Sequence, residues 1–95
     1  MHARLTLAFD ELVREVLLSR LKEPKIYVII EYSRKSEMLK MTVKYNGNAF
    51  NPKDTKNGLA YYVLESATSS INYVELNDEA GYTNRVELIL KNDDV

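Results

Sequence analysis

The feature that most constrains the fold is a pair of alternating segments, Ile26 to Tyr32 and Met38 to Tyr45, joined by the polar loop SRKSE. Apolar side chains recur at every second position in both segments, which is the period of a strand with one buried face. The spacing predicts an antiparallel hairpin. Its apolar face carries Val28, Ile30, Leu39, Met41 and Val43.

Two further patterns flank this hairpin. From Leu5 to Leu21 apolar residues recur at intervals of three and four, which predicts a helix near residues 3–22 that buries one stripe and is closed by Pro24. The segment GLAYYVLESATS predicts a second helix near 57–69, and strands are predicted near 71–76 and 85–91. The stripe of the first helix comprises Leu5, Ala8, Phe9, Leu12, Val13, Val16 and Leu17.

The order helix, two strands, helix, two strands predicts a single α+β domain over residues 1–95. The fold class is a two-layer α/β sandwich, with both helices on one face of a four-stranded, mostly antiparallel sheet. The other face is predicted to mix apolar with charged side chains, which suits either a homodimer through that face or a solvated sheet. Its apolar and weakly polar members are Tyr27, Ile29, Thr42, Tyr73 and Ile89.

Composition excludes several functions. With a net charge of −1 the chain lacks the basic surface that nucleic-acid binding requires. It has no cysteine, which favours a reducing cytoplasm over a disulfide framework. No apolar run approaches the eighteen or so residues of a membrane helix, so no membrane contact is predicted. The single histidine excludes a histidine metal cluster.

One segment, KMTVKYNGNAFNPKDTK, carries a nucleotide-site pattern: Val43, Gly47, Phe50 and Pro52 match the motif VxDxGxGFxP. This motif forms the adenine side of the GHKL ATP-binding fold of histidine kinases and anti-sigma-factor serine kinases. LAFDELVREVL is similar to the family's LAxxELVxNAxxH helix, and the block from residue 57 to residue 90 is similar to its GxGLxxV ending. The chain therefore resembles a compact GHKL domain along nearly its whole length.

The resemblance implies roles for individual positions. Glu11 falls on the family's general base and would be catalytic if the domain is active; alternatively it is a solvated residue on the polar face of the helix. Glu15 falls on the asparagine that holds Mg²⁺. Tyr45 replaces the aspartate that accepts a hydrogen bond from adenine, and Ala49 replaces a glycine. Tyr45 is predicted either to fill the adenine pocket or to be a core or rim aromatic residue with its hydroxyl at the solvent edge.

On the phosphate side the family's Gly-x-Gly-Leu turn is reduced to Asn57, Gly58 and Leu59. Asn57 is interpreted either as a remnant of that turn or as a helix N-cap. Gly47 keeps its place in the motif, and Thr83 matches the family's GGT threonine. If nucleotide binding is retained, the binding residues are Glu15, Tyr45, Gly47, Asn57, Gly58 and Thr83, with Glu15 as metal ligand.

Two functions follow from the resemblance. The first is a degenerate, non-catalytic GHKL domain that acts as a regulatory or protein-interaction module without a cofactor, with a protein partner or a homodimer. The alternative is an ATP- and Mg²⁺-binding kinase domain of the anti-sigma-factor or histidine-kinase type. If only three substitutions separate the two, changing Glu15, Tyr45 and Ala49 together to the family's residues is predicted to restore Mg-ATP binding.

Overall fold

The computed structural model describes residues 2–18, 20–77 and 80–91. Helix α1 continues directly into a π-helical segment, and a short 3-10 helix precedes helix α2. The elements are α1 His2–Asp10, the π-helical segment Glu11–Leu17, β1 Ile26–Ser33, β2 Met38–Tyr45, the 3-10 helix Pro52–Asp54, α2 Gly58–Ala67, β3 Ser70–Glu75 and β4 Asn84–Lys91.

The four strands form one antiparallel sheet in the order β1-β2-β4-β3. Each half of the chain contributes one hairpin, and the two hairpins join through β2 and β4. Both helices pack against one face of this sheet, so the predicted two-layer α+β architecture is confirmed. The predicted strands agree with the observed bounds to within one residue at every end, because the two-residue period marks strand limits well.

The core lies between the helices and the two central strands. Alternate residues of β4 are fully buried, as expected for a strand with one face under the helices. Helix α2 contributes side chains at intervals of three and four. Apart from Phe50, the buried apolar residues of the main cluster are Ala8, Leu12, Val16, Leu17, Met41, Val43, Tyr45, Ala60, Leu64, Ala67, Val86, Leu88 and Leu90.

The first helix differs from its prediction in length and in winding. It ends at Leu17, where the N–H groups of Arg20 and Leu21 both donate to the Leu17 carbonyl, so Pro24 does not close it. The Leu18 N–H donates to the Val13 carbonyl at 2.8 Å, an i to i+5 bond that defines a π turn. A 3.6-residue pattern cannot distinguish this wider winding from an α-helix.

One prediction about side-chain faces is wrong, and two side chains on predicted apolar faces are exposed. Tyr73 pairs with Val86 of β4, so it lies on the helix side of the sheet and not on the outer face. Ile30 does lie on the helix side, opposite Met41, but it is 51% exposed. The two helices cover the central strands and leave part of the edge strand β1 bare. Phe9, predicted to be buried, is 39% exposed because it lies beside the buried stripe at Ala8.

Candidate functional site

Tyr45, the residue at the adenine-reading position of the motif, is fully buried in the core. It is the last residue of β2, and its side chain lies on the helix side of the sheet. Its hydroxyl donates a hydrogen bond to the carbonyl oxygen of Phe50 inside the protein. The prediction of Tyr45 as a core aromatic residue is confirmed, whereas a hydroxyl at the solvent edge is wrong.

Asn84 connects Tyr45 to the loop that follows it. This residue begins β4, pairs with Tyr45 across the sheet and is fully buried. Its Oδ1 accepts hydrogen bonds from the Phe50 N–H at 2.8 Å and from the Tyr73 hydroxyl. Its Nδ2 donates to the carbonyl oxygens of Tyr45 and Asn48, both at 3.3 Å. All the donors and acceptors of this amide are therefore used within the protein.

Sequence reasoning missed Asn84, although a signal was present. Residues 84, 86, 88 and 90 share one face of β4, and the last three are apolar core residues. A polar amide in the first of these inward positions must find partners, because a buried polar group without a hydrogen bond is costly. We refer to Tyr45, Phe50, Tyr73 and Asn84 as the buried polar cluster. It fixes the loop of residues 46–51 in place.

Burial raises the pKa of the Tyr45 hydroxyl far above its ordinary 10.0, with the neighbouring Tyr73 adding to the rise and the Arg20 charge opposing it. Burial likewise raises the pKa of Tyr73, while the hydrogen bond with the Phe50 backbone lowers it. The phenol at position 45 therefore stays neutral and acts as a hydrogen-bond donor. It is a structural group, not an acid or base poised for proton transfer near neutral pH.

This raised pKa predicts an alkaline destabilisation. Above pH 10.0 the unfolded chain releases the Tyr45 proton while the folded chain keeps it. The free energy of unfolding should therefore fall with rising pH, by about 1.4 kcal/mol per pH unit for this one group. Urea unfolding from pH 8 to pH 11 should show that the free energy of unfolding falls less steeply with pH for Tyr45→Phe than for the parent chain. Tyr62→Phe, which changes a 66% exposed ring, should keep the parent slope; equal slopes in all three would contradict the assignment.

The two glutamates of the first helix do come together with the start of α2. Glu11 and Glu15 line a surface hollow of about 190 Å³ together with Asn57, Leu59 and an adjoining stretch of α2. The Asn57 side-chain oxygen accepts a hydrogen bond from the Ala60 N–H at 3.1 Å, so this residue is the N-cap of α2. Gly58 has an ordinary φ and open space where a Cβ would lie, so this backbone does not require a glycine.

A second hollow, of about 380 Å³, adjoins the first through Glu15 and Asn57. Arg20 and Lys56 line it, and the Arg20 guanidinium lies 3.9 Å above the centre of the Phe50 ring. This stacking places a cation over the ring of Phe50, whose backbone belongs to the buried polar cluster. The two hollows together form a mixed-charge groove, lined by Glu11, Glu15, Arg20, Phe50, Thr55, Lys56, Asn57, Leu59 and Val63.

The other motif residues lie apart from Glu11. Gly47 lines a third hollow with Arg20. Its φ of +93° requires a glycine, and a Cβ at this position would lie only 3.1 Å from the Leu21 Cδ2. Ala49 has no positive φ, so the loop does not need glycine at that position. The Thr83 N–H donates to the Tyr45 carbonyl at 3.1 Å, and the Thr83 carbonyl accepts from the Leu76 N–H. Tyr45 and Thr83 line none of these three hollows.

Tyr45 and Glu15 lie at positions where the motifs have an aspartate and an asparagine. Within the residues that the structure describes, no three carboxylate or histidine side chains converge on a site for a metal ion. The position that should supply an adenine acceptor holds a buried phenol whose hydroxyl is already bonded to Phe50. What the groove offers instead is exposed carboxylates and cations beside apolar side chains, which suits contact with another protein.

Comparison with known proteins adds no relative. No protein-family profile matches the chain, and no curated protein shows significant sequence similarity to it. The GHKL resemblance therefore depends on the motif residues and their order along the chain. In the described part of the chain no helix is long and apolar enough to cross a membrane.

Proposed function

We propose that this chain is a degenerate GHKL-type domain that does not use ATP and acts as a regulatory or protein-interaction module. The observation that carries the proposal is the burial of Tyr45. Where the family motif has an aspartate open to adenine, this chain has an aromatic ring in the core, hydrogen-bonded to Phe50. A base entering there would have to displace core side chains without finding a hydrogen-bond acceptor.

The phosphate and metal side supports the same function. Glu15 places a carboxylate where the family has a neutral amide, and this adds negative charge beside the position of a triphosphate. The Asn57 oxygen is engaged in capping α2. The Asn57 oxygen, which lies in the groove, is therefore used to stabilise this fold.

The surface beside the groove supports a protein partner. Leu59 is 74% exposed and Tyr62 is 66% exposed on α2, and Leu59 lies in the same hollow as Glu11 and Glu15. Exposed leucine and tyrosine next to acidic groups suit a segment that offers an apolar anchor flanked by basic residues. We place the interaction in the cytoplasm, a reducing compartment that suits a chain with no cysteine.

A homodimer through the outer sheet face remains the other partner arrangement. Tyr27 and Val74 are 48% and 42% exposed on that face, while Thr42 at its centre is only 7% exposed. Lys44 and Arg85 pair across β2 and β4 on this face, so charged side chains lie among its apolar ones. This face therefore offers fewer apolar contacts than the surface around Leu59.

The proposal predicts that Mg-ATP has little effect on stability. At about 1 mM, Mg-ATP should raise the free energy of unfolding by less than about 1 kcal/mol, which corresponds to an affinity in the millimolar range or weaker. Thermal unfolding with Mg-ATP, with Mg²⁺ alone and with neither checks this, supported by calorimetric titration. Micromolar binding would overturn the proposal. It would favour the alternative, an ATP- and Mg²⁺-binding kinase domain, for which the observation in hand is that Glu11, Glu15 and Asn57 share one hollow.

A further inference from the structure

We infer that the chain forms a dimer by pairing the free edge of β1 with the same edge of a second copy. The inference does not depend on the absence of nucleotide binding. In the described part of the chain, β1 has a strand neighbour on one side only, β2. It pairs with β2 over its whole length of eight residues in an unbroken register, so it contains no bulge.

The hydrogen-bond pattern shows which backbone groups point outward. Lys25 lies opposite Asn46 in the β1–β2 register, and its carbonyl accepts from the Asn46 N–H at 3.3 Å. Hydrogen-bonded and non-hydrogen-bonded pairs alternate along an antiparallel ladder. Odd-numbered residues of β1 therefore bond to β2. The N–H and C=O groups of Ile26, Val28, Ile30 and Tyr32 point away from the sheet.

This edge has few of the features that keep exposed strands apart. Proteins blunt such edges with proline, lysine, bulges or short length. The sequence of β1, IYVIIEYS, has no proline and no basic residue, and its only charge is Glu31. The other edge strand, β3, is shorter, with six residues, and it begins with an exposed serine. The two edges of one sheet thus differ, and β1 is the one suited to strand addition.

The side chains next to the edge supply the apolar contact. Ile30 is 51% exposed and Tyr32 is 56% exposed, and both project from the helix side of β1 where the helices end their cover. A strand added to β1 would lie beside these two side chains. The added strand would then gain main-chain hydrogen bonds and apolar contacts together, whereas an isolated apolar patch gives only the second.

The strand is complementary to a second copy of itself. Because even-numbered residues carry the outward groups, an antiparallel partner must align even residues with even residues. Pairing about Ile29 uses the whole of residues 26–32. It places Ile30 opposite Val28 of the partner copy, and Glu31 opposite the partner's Tyr27. Shifting the centre to Glu31 would set two glutamates against each other, a repulsive pair. A centre at Ile30 also aligns even residues, but it sets Glu31 opposite the partner's Ile29, so we assign the register centred on Ile29.

Two experiments test the dimer. At high micromolar concentration, sedimentation velocity should show a dimer for the parent chain. Ile30→Lys should raise the dissociation constant of the dimer by about tenfold or more, because a lysine would face the partner's apolar strand. Tyr62→Lys removes a comparably exposed apolar residue from α2 and should leave the dimer intact. A parent chain that is monomeric at this concentration would overturn the inference, as would equal weakening by the two variants.

Cysteine cross-linking tests the register, since the chain has no cysteine of its own. Ile29→Cys would face its own copy in a non-hydrogen-bonded pair with Cα atoms about 4.5 Å apart, within reach of a disulfide. Under oxidised glutathione it should form covalent dimers many times faster than Asn72→Cys on the opposite edge. If Ile89→Cys, at the outer face of the central strand β4, links as fast as Ile29→Cys, the copies associate through the sheet faces and edge pairing is wrong.

Discussion

Replacing Asn84 by leucine should lower the free energy of unfolding by about 3 kcal/mol or more. The leucine keeps the volume of the side chain but leaves the buried Phe50 N–H and the Asn48 carbonyl without their protein partner. Each orphaned buried group costs about 1–3 kcal/mol. A domain of this size has about 5–15 kcal/mol in all, so the loss is a large fraction. Denaturant unfolding monitored by circular dichroism measures it directly.

The matched control is Asn72→Leu. Asn72 is exposed on the edge strand β3, and the same chemical change there should alter stability by less than about 0.5 kcal/mol. The Asn84→Leu protein should also lose protection of the Phe50 amide in hydrogen exchange, because its acceptor is removed. A loss of stability no larger than that of the control would mean that the loop of residues 46–51 is held by other contacts.

Tyr45→Asp should be the most damaging single change in the domain. It restores the residue of the family motif, yet it removes a fully buried ring and places a carboxylate in the core. Truncation of a buried aromatic residue costs about 3–5 kcal/mol, and an unpaired buried carboxylate adds to this. The variant should be largely unfolded at room temperature, which circular dichroism and amide NMR spectra would report.

The burial of Tyr45 changes the prediction for the triple variant. Changing Glu15, Tyr45 and Ala49 together should no longer restore Mg-ATP binding, because the tyrosine is part of the core and not an obstruction at a pocket mouth. Tyr45→Phe is the control, since it keeps the ring and loses only the hydrogen bond to Phe50, at a cost of about 1 kcal/mol. A folded Tyr45→Asp protein that binds Mg-ATP would contradict both this prediction and the proposed loss of nucleotide binding.

The two proposed interaction surfaces are compatible with each other. The groove beside Leu59 lies between the first helix and the start of α2, whereas the β1 edge is a lateral boundary of the sheet. A dimer through β1 would therefore leave Leu59 and Tyr62 of each copy open to a further partner. Ile30→Lys and Tyr62→Lys should then separate the two contacts, with each variant affecting only one of them.

Strands were predictable from local pattern, and the candidate site was predictable only in part. Met38 to Tyr45 was predicted to the residue, because alternation of apolar side chains depends on nearest neighbours along the chain. The resemblance grouped Glu15 with Asn57, and the structure places both beside Glu11 in one hollow. Gly47 was kept as a motif residue, and only the structure showed its φ of +93°. Asn84 was overlooked because its backbone partners lie 34 to 39 positions away in sequence.

By itself, the sequence determined the order of elements, the strand limits and the covered face of β2 and β4. These depend on the period of the apolar pattern and on turn residues, both of which are local. Only the tertiary structure decided that Tyr45 lies in the core, that Tyr73 faces the helices and that Ile30 remains exposed. Those outcomes depend on the register between distant strands and on how far two helices extend across a four-stranded sheet. No local pattern encodes either quantity, because both are set by the simultaneous packing of segments far apart in the chain.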